Sequence, residues 1–235
     1  MENRKKCCIV IPIHKEYDKL SPFEKKSVNN TIIKMKNWDI VLICPNNMNV
    51  SGYENIGILN FMNFDTKYFK DVKSYCELML SSFFYEAFEK YEYMLIVQSD
   101  AYIFNDELEY FLNLGYDYIG GLHNINQGTN IFHPNVGNKL INGNGGFSLR
   151  KIDAFITASK NIKKDLNNKW DWEDVLYSYW YKDKMNIAPD EISLKFGWQQ
   201  SPEICYENNG KKLPFGSHKP HIFGKDFEPY KKYIE

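Results

Sequence analysis

Apolar positions along this chain follow two periods. Unbroken apolar runs at 7–13 (Cys7-Cys8-Ile9-Val10-Ile11-Pro12-Ile13), 40–44 and 93–97 read as strands buried on both faces, as in a sheet covered by helices. Between them, apolar residues recur at three and four. From Pro22 to about Trp38, Val28, Ile32 and Met35 share one face. Over 73–91, Cys76, Met79, Leu80, Phe83, Phe84, Ala87, Phe88 and Tyr91 form a broad stripe that predicts one long helix. Residues 45–55 are turn-rich, and 56–61 predict a short third strand. Strands alternating with helices over short connections imply parallel pairing and right-handed crossovers. The first half is therefore expected to be an α/β sheet of the nucleotide-binding type.

Beyond Phe104 the pattern is weaker. Asn105 reads as a helix cap with Asp106 and Glu107 in the first turn. Residues 116–122 predict a strand, 147–149 another, and 152–160 and 172–182 helices. The stretch 123–140 predicts a loop rich in Asn and Gly, of a length usually tied to function. The tail after Trp198 carries Pro202, Pro214, Pro220 and Pro229 and reads as irregular. No internal repeat or linker-like stretch is evident. At 235 residues the expectation is one domain, with halves at 1–122 and 123–235.

Composition narrows the classes. Hydrophobic residues make up 43%, enough for a sizeable core and against general disorder. A formal charge of −1 gives no electrostatic case for nucleic acid. The five cysteines lack C-x-x-C spacing and three lie in predicted buried strands, a reduced, cytoplasmic pattern. Arg4-Lys5-Lys6 before an apolar run superficially resembles a signal peptide. The run is short, is broken by Pro12 and lacks a cleavage site, so a first strand is the better reading. No segment is long enough to cross a bilayer.

Four stretches carry candidate chemistry. Gln98-Ser99-Asp100 ends the buried strand 93–97, at the carboxyl edge where open α/β sheets bind ligands; a bare carboxylate there calls for a cation or hydrogen-bond donors. Asn142-Gly143-Asn144-Gly145-Gly146 lets backbone approach a ligand closely, or is simply a tight turn before a strand. It has neither P-loop nor dinucleotide-fold spacing. Glu173-Asp174, flanked by Trp170 and Trp172, is either helix capping or a base beside rings on which a sugar stacks. His218 follows the turn Pro214-Phe215-Gly216. Alone it is an ordinary loop histidine, but with Asp100 it supplies two ligands to one cation. His14 ends the first strand, where it can line a nucleotide pocket. His123, His133 and His221 lack comparable context.

In combination these segments resemble a family of bacterial and microbial proteins taken to be glycosyltransferases and catalogued as a domain of unknown function. The shared pieces run from Leu78–Tyr85 through Gln98-Ser99-Asp100-Ala101-Tyr102 to Gly115-Tyr116-Asp117-Tyr118-Ile119-Gly120. They continue with Gly143–Arg150, Glu173-Asp174-Val175 and Pro214–His218. The order is similar to the GT-A glycosyltransferase pattern. The resemblance implies a GT-A-like fold, a Rossmann-like, mixed but mainly parallel sheet flanked by helices. It implies Asp100 and His218 as ligands of Mn²⁺ or Mg²⁺, Gly145 and Gly146 as donor-sugar contacts, and Asp174 as base, with Glu173 next in line. Gln98 stands where the pattern has its first Asp, so the metal site lacks one anionic group.

The reading that follows is an inverting, nucleotide-sugar-dependent glycosyltransferase acting on a glycan hydroxyl of a cell-surface polysaccharide or lipopolysaccharide. Pro12, His14, Glu16, Lys73, Gln98, Ser99, Asp100 and Ala101 would hold the donor, and Trp172 and Glu173 the acceptor. The alternatives are a retaining transferase, a sugar nucleotidyltransferase and a silent sugar- or nucleotide-binding module. A cytoplasmic location is expected. The tail lysines Lys211, Lys212, Lys219, Lys225, Lys231 and Lys232 leave room for contact with the diphosphate or peripherally with the inner membrane, but a solvated surface is the better reading.

Overall fold

The computed structural model describes residues 4–58, 60–124, 139–167, 169 and 171–234. Strand β1 (Lys5–Pro12) is followed by α1 (Pro22–Lys34), β2 (Asp39–Pro45), α2 (Ser51–Glu54) and β3 (Asn60–Phe64). Helices α3 (Val72–Met79) and α4 (Ser82–Glu86) then lead into β4 (Tyr91–Val97). These four strands pair in parallel in the order β3-β2-β1-β4. The chain runs outward from β1 to β3 and then returns to the other side of β1. The sheet therefore has a switch point between β1 and β4, where such sheets leave a crevice at their carboxyl ends.

The second half extends the same sheet. Strand β5 (Ala101–Ile103) and α5 (Leu108–Asn113) precede β6 (Tyr118–His123) and the long β7 (Ile141–Lys151). Helix α6 (Ile152–Asp165) follows, then α7 (Glu173–Val175), which runs on as a π-helical segment, Leu176–Trp180. Last come α8 (Asp190–Phe196), β8 (Gly197–Trp198), α9 (Pro202–Asn208), β9 (Gly216–His218), α10 (Pro220–Phe223) and α11 (Glu228–Ile234). The full order is β3-β2-β1-β4-β7-β6-β8-β9-β5. β7 is antiparallel to both β4 and β6, and β9 is antiparallel to β5. The expected mixed, mainly parallel α/β sheet is what the chain forms.

Strand alternation explains the layers. Cys8 and Val10 face Met79, Phe84 and Phe155, from α3, α4 and α6. Cys7 and Ile9 face the opposite way, toward Phe111 of α5, Phe196 of α8 and Phe215. A separate aromatic cluster, Tyr102, Phe104, Trp198, Phe227 and Tyr230, anchors the C-terminal segment. The exposed edge of β5 is covered by α1. Ser27 donates its hydroxyl to the Ala101 carbonyl, and Asn30 Oδ1 accepts the Ile103 N–H at 3.2 Å.

Several element expectations are corrected. The helix expected over 73–91 is two helices, because Ser81 is extended and its hydroxyl donates to the Leu78 carbonyl at 2.5 Å. The strand expected at 56–61 forms at Asn60–Phe64. Ile56 and Gly57 instead close the turn after α2, with Gly57 at φ +96°. Asn105 does not cap α5; its amide donates to the Pro214 carbonyl at 3.3 Å, and Glu107 takes the cap position. The glycine cluster is no turn but part of β7, with register shifts against β6 at Gly120 and Gly121. The tail is not irregular, since it holds three helices and β9. Of the expected 123–140 loop, 125–138 lie outside the described residues, as do His133 and Trp170, while His123 ends β6.

Phe111 ties α5 to the sheet through Phe196, at 5.0 Å between ring centroids, and Phe215, at 5.6 Å. Phe111→Ala should therefore cost about 3–5 kcal/mol in urea unfolding, at the level of a deleted core aromatic.

Candidate functional site

The carboxyl ends of β1, β4, β6, β8 and β9 and the first half of β7 meet around a cleft of about 620 Å³. Pro12 and His14 enter it after β1, and Gln98, Ser99 and Asp100 after β4. Gly145 and Gly146 enter from β7, His218 from β9, and Trp172, Glu173 and Asp174 from the start of α7. Three candidates do not line it. Glu16 pairs with Lys19 at 3.2 Å, Lys73 is exposed in the first turn of α3, and Ala101 is buried within β5.

Asp100 and His218 are 118 residues apart and are brought together by the β5–β9 ladder, in which Ala101 faces His218. The Lys219 N–H donates to the Asp100 carbonyl at 2.9 Å and closes the end of that ladder. His218 Nε2 lies 3.2 Å from Asp100 Oδ1, and Lys219 Nζ lies 3.9 Å from Oδ2. Burial acts to raise the Asp100 carboxyl, but His218 in its protonated form and Lys219 outweigh it and hold it down at about 2. The 3.2 Å separation lacks the angle of a hydrogen bond, so His218 Nε2 is a buried ring nitrogen without a hydrogen-bond partner. An ionised carboxylate and an unpartnered imidazole nitrogen facing one space fit a divalent cation. Among the described residues no group of three or more His, Cys, Asp or Glu could hold a metal. A cation held by these two groups would need further ligand oxygens, of the kind that phosphates and water supply to Mg²⁺.

The wall at the start of α7 is organised by Arg150, to which no role was assigned from sequence. It is fully buried. Its Nη2 pairs with Glu173 Oε1 at 3.0 Å, Nη1 donates to Tyr85 at 2.9 Å and Nε to Ser148 at 3.0 Å. The guanidinium also lies 5.2 Å from the Phe155 ring centroid. Burial raises the Glu173 carboxyl to about 7 against the pull of Arg150, and Oε2 has no hydrogen bond. Asp174 is the more accessible of the two. Its Oδ2 accepts the Gly145 N–H at 3.0 Å and Oδ1 the Val175 N–H at 2.9 Å. Burial raises its carboxyl, and those two N–H groups oppose the shift. The glycines serve by close approach: a Cβ on Gly145 would meet Glu173 Oε1 at 2.6 Å, and one on Gly146 would meet His218 Nε2 at 2.5 Å.

Further cleft residues went unassigned in sequence: Lys15, Lys70, Asn144 and Gln199; Lys219, noted there among the tail lysines, also lines it. His123, noted there without supporting context, also lines it, with burial lowering its imidazole to about 3. The amide pair Gln199-Gln200 directly after Trp198 was the available signal for that wall, and the irregular reading of the tail obscured it.

Sheet order and cleft position define a GT-A-type fold, shared with sugar-transferring enzymes of known structure. The galactosyltransferase LgtC, solved with donor and acceptor sugar analogues, matches at TM-score 0.56 and 9% identity, over 89% of this chain and 86% of that one. Mouse xyloside xylosyltransferase 1 matches at 0.53 and 9%, over 91% and 97%. A glycosyltransferase involved in glycosylation of the major capsid of PBCV-1 matches at 0.50 and 13%, over 94% and 98%. No curated protein matches the sequence significantly. Residues 58–218 match DUF5672, described as a protein of unknown function, and the chain belongs to that family.

The Arg150–Glu173 pair has a clear stability signature. Arg150→Met leaves a buried carboxylate without its counter-charge and should cost about 3–5 kcal/mol in chemical denaturation at pH 8. Adding Glu173→Gln should restore much of that loss, a non-additivity that a double-mutant cycle reads directly.

Proposed function

We propose that this protein is a nucleotide-sugar-dependent glycosyltransferase that moves a sugar to a glycan hydroxyl by a single inverting displacement. One observation carries the reading. Asp100 and His218, distant in sequence, converge at 3.2 Å in the same cleft that Asp174 lines. The fold shared with glycosyltransferases supports it.

The nucleotide would lie along the ends of β1 and β4, against Pro12, His14, Gln98 and Ser99, with Gln98 offering an amide to ribose or sugar hydroxyls. Asp100 and His218 would hold Mn²⁺ or Mg²⁺, whose contribution is neutralising charge on the departing diphosphate. Lys15, Lys70 and Lys219 place further positive charge along the cleft. Gly145 and Gly146 let the donor sugar approach the β7 backbone. Asp174 takes the proton of the acceptor hydroxyl; the freed oxygen bonds to the anomeric carbon as its bond to the diphosphate breaks, and the nucleoside diphosphate leaves. A carboxyl raised by burial is a stronger base than a solvated one, and the two N–H groups fix its direction. Trp172 lines the acceptor side, where an indole suits a sugar face.

The acceptor class proposed is a cell-surface polysaccharide or lipopolysaccharide chain, met in the cytoplasm at the membrane's inner face. Among the described residues no helix is long and apolar enough to cross a membrane.

Asp174→Asn should lower turnover about 10²–10⁴-fold while leaving donor affinity near normal. Full activity in that variant would move the base elsewhere. A thermal-shift screen of UDP-, GDP-, CMP- and dTDP-sugars with and without Mn²⁺ tests the donor site. Stabilisation by one donor class should require Mn²⁺ and disappear in Asp100→Asn and His218→Ala. Product NMR should show an inverted anomeric centre.

A further inference from the structure

The hydrogen bonds behind His218 form a chain whose direction is dictated from one end. The backbone N–H of Gly146, which can only donate, gives its hydrogen to Asn144 Oδ1 at 3.1 Å. With that oxygen engaged, Asn144 presents its NH₂ end to Gln199 and donates to Oε1. Gln199 must therefore turn its oxygen, not its nitrogen, toward this corner. The same Oε1 lies 2.8 Å from His218 Nδ1. An oxygen there can only accept, so Nδ1 carries a ring hydrogen, and in the neutral imidazole Nε2 keeps its lone pair.

That outcome is expensive unless it is used. Nε2 is buried and has no hydrogen-bond partner, since Asp100 Oδ1, though 3.2 Å away, lies off the line of the ring nitrogen. The opposite tautomer would give up the bond from Nδ1 to Gln199 Oε1 and, at the angle found, gain none to Asp100, so the Asn144–Gln199 arrangement keeps the hydrogen on Nδ1. Backbone placement reinforces the clamp. The Gln199 N–H donates to the Leu122 carbonyl at 2.9 Å, and Trp198 pairs with Ser217, so Gln199 and His218 end neighbouring strands in register.

We propose that Asn144 and Gln199 are positioning residues that lock His218 in the Nδ1–H tautomer, keeping Nε2 free to bind the cation that accompanies the donor diphosphate. The use assigned to Nε2 rests on the proposed function, whereas the tautomer does not. Orienting partners of metal-binding imidazoles commonly set the tautomer in this way, and losing one typically costs 10–100-fold in metal affinity.

The test is ¹⁵N NMR of histidine-labelled, metal-free full-length protein at a pH where the ring is neutral, with His218→Gln used to assign the signal. The wild type should carry the hydrogen on Nδ1. Asn144→Asp keeps the shape but exchanges the NH₂ donor for an acceptor. The Gln199 amide should then turn over, donate to both neighbours, and move the His218 hydrogen to Nε2. Gln199→Glu preserves an acceptor and should keep Nδ1–H. Gln199→Leu should weaken Mn²⁺ binding, measured by electron paramagnetic resonance with UDP and separately with GDP, by about 10–100-fold. A wild-type ring protonated at Nε2, or an Asn144→Asp ring whose hydrogen does not move, overturns the clamp. A correct tautomer in a wild type without Mn²⁺ affinity instead overturns the cation role, and with it the reading of His218 as a ligand.

Discussion

Three residues of β5 pairing with three of β9 are the constraint on which the cleft depends. Ala101↔His218, Tyr102↔Ser217 and Ile103↔Gly216 form a ladder across more than a hundred residues of chain. Closing so long a loop is entropically costly, and six residues of ladder do not offset it alone. The offset comes from either side. Phe215 enters the ring cluster with Phe111, Phe147 and Phe196, and Tyr102 and Phe104 pack on the C-terminal aromatic group. The edge is finished by Ser27 and Asn30 of α1. The geometry at Asp100 and His218 is therefore a product of core packing on both sides of a short ladder, and a lesion far from the cleft can disturb it.

The polar interior follows the same logic at higher cost. Burying Arg150 is tolerable only because Glu173, Tyr85, Ser148 and the Gly145 carbonyl satisfy its donors together. In return it fixes the start of α7 against β7, so that Asp174, the next residue, meets the Gly145 N–H. One carboxylate of the Glu-Asp pair thus faces inward to hold the wall, and its neighbour faces the cleft. The division follows from direction along a helix start, where successive side chains diverge by about 100°.

How much of this was legible in the residues differs by the range of the interaction. Buried strands announce themselves through unbroken apolar runs, so β1, β2 and β4 and the polar turn at Gln98-Ser99-Asp100 were readable locally. The break at Ser81 was not, because the apolar stripe continues through Phe83, Phe84 and Phe88 while a single hydroxyl diverts the backbone. β5 and β9 are too short to show a period. Glu173-Asp174 was singled out by composition, but the inward turn of Glu173 depends on Arg150, 23 residues earlier. Asn144 was seen as part of a glycine cluster and Gln199 as the opening of an irregular tail. An amide declares no role until its partners are placed, since it donates and accepts equally well.

Charge in the cleft argues for the company a donor must bring. Five carboxylates line it, Glu24, Asp71, Asp100, Glu173 and Asp174, against the three lysines Lys15, Lys70 and Lys219. Some of that negative charge is already answered. Arg150 meets Glu173 from behind, Asp71 caps α3, and Lys15 pairs with Glu24 at 3.2 Å. Asp100 and Asp174 remain, one partly balanced by Lys219 and His218, the other hydrogen-bonded by the Gly145 and Val175 N–H groups and more weakly stabilised by the fields of Arg150 and His218. Two phosphates placed beside them would face repulsion in a space where water screens poorly. On the proposed function, a divalent cation would reverse that sign where Asp100 and His218 converge, and the same ion would answer both the charge of a diphosphate and the unpartnered His218 Nε2. That reading favours a nucleotide diphosphate carried with its metal over a bare anion.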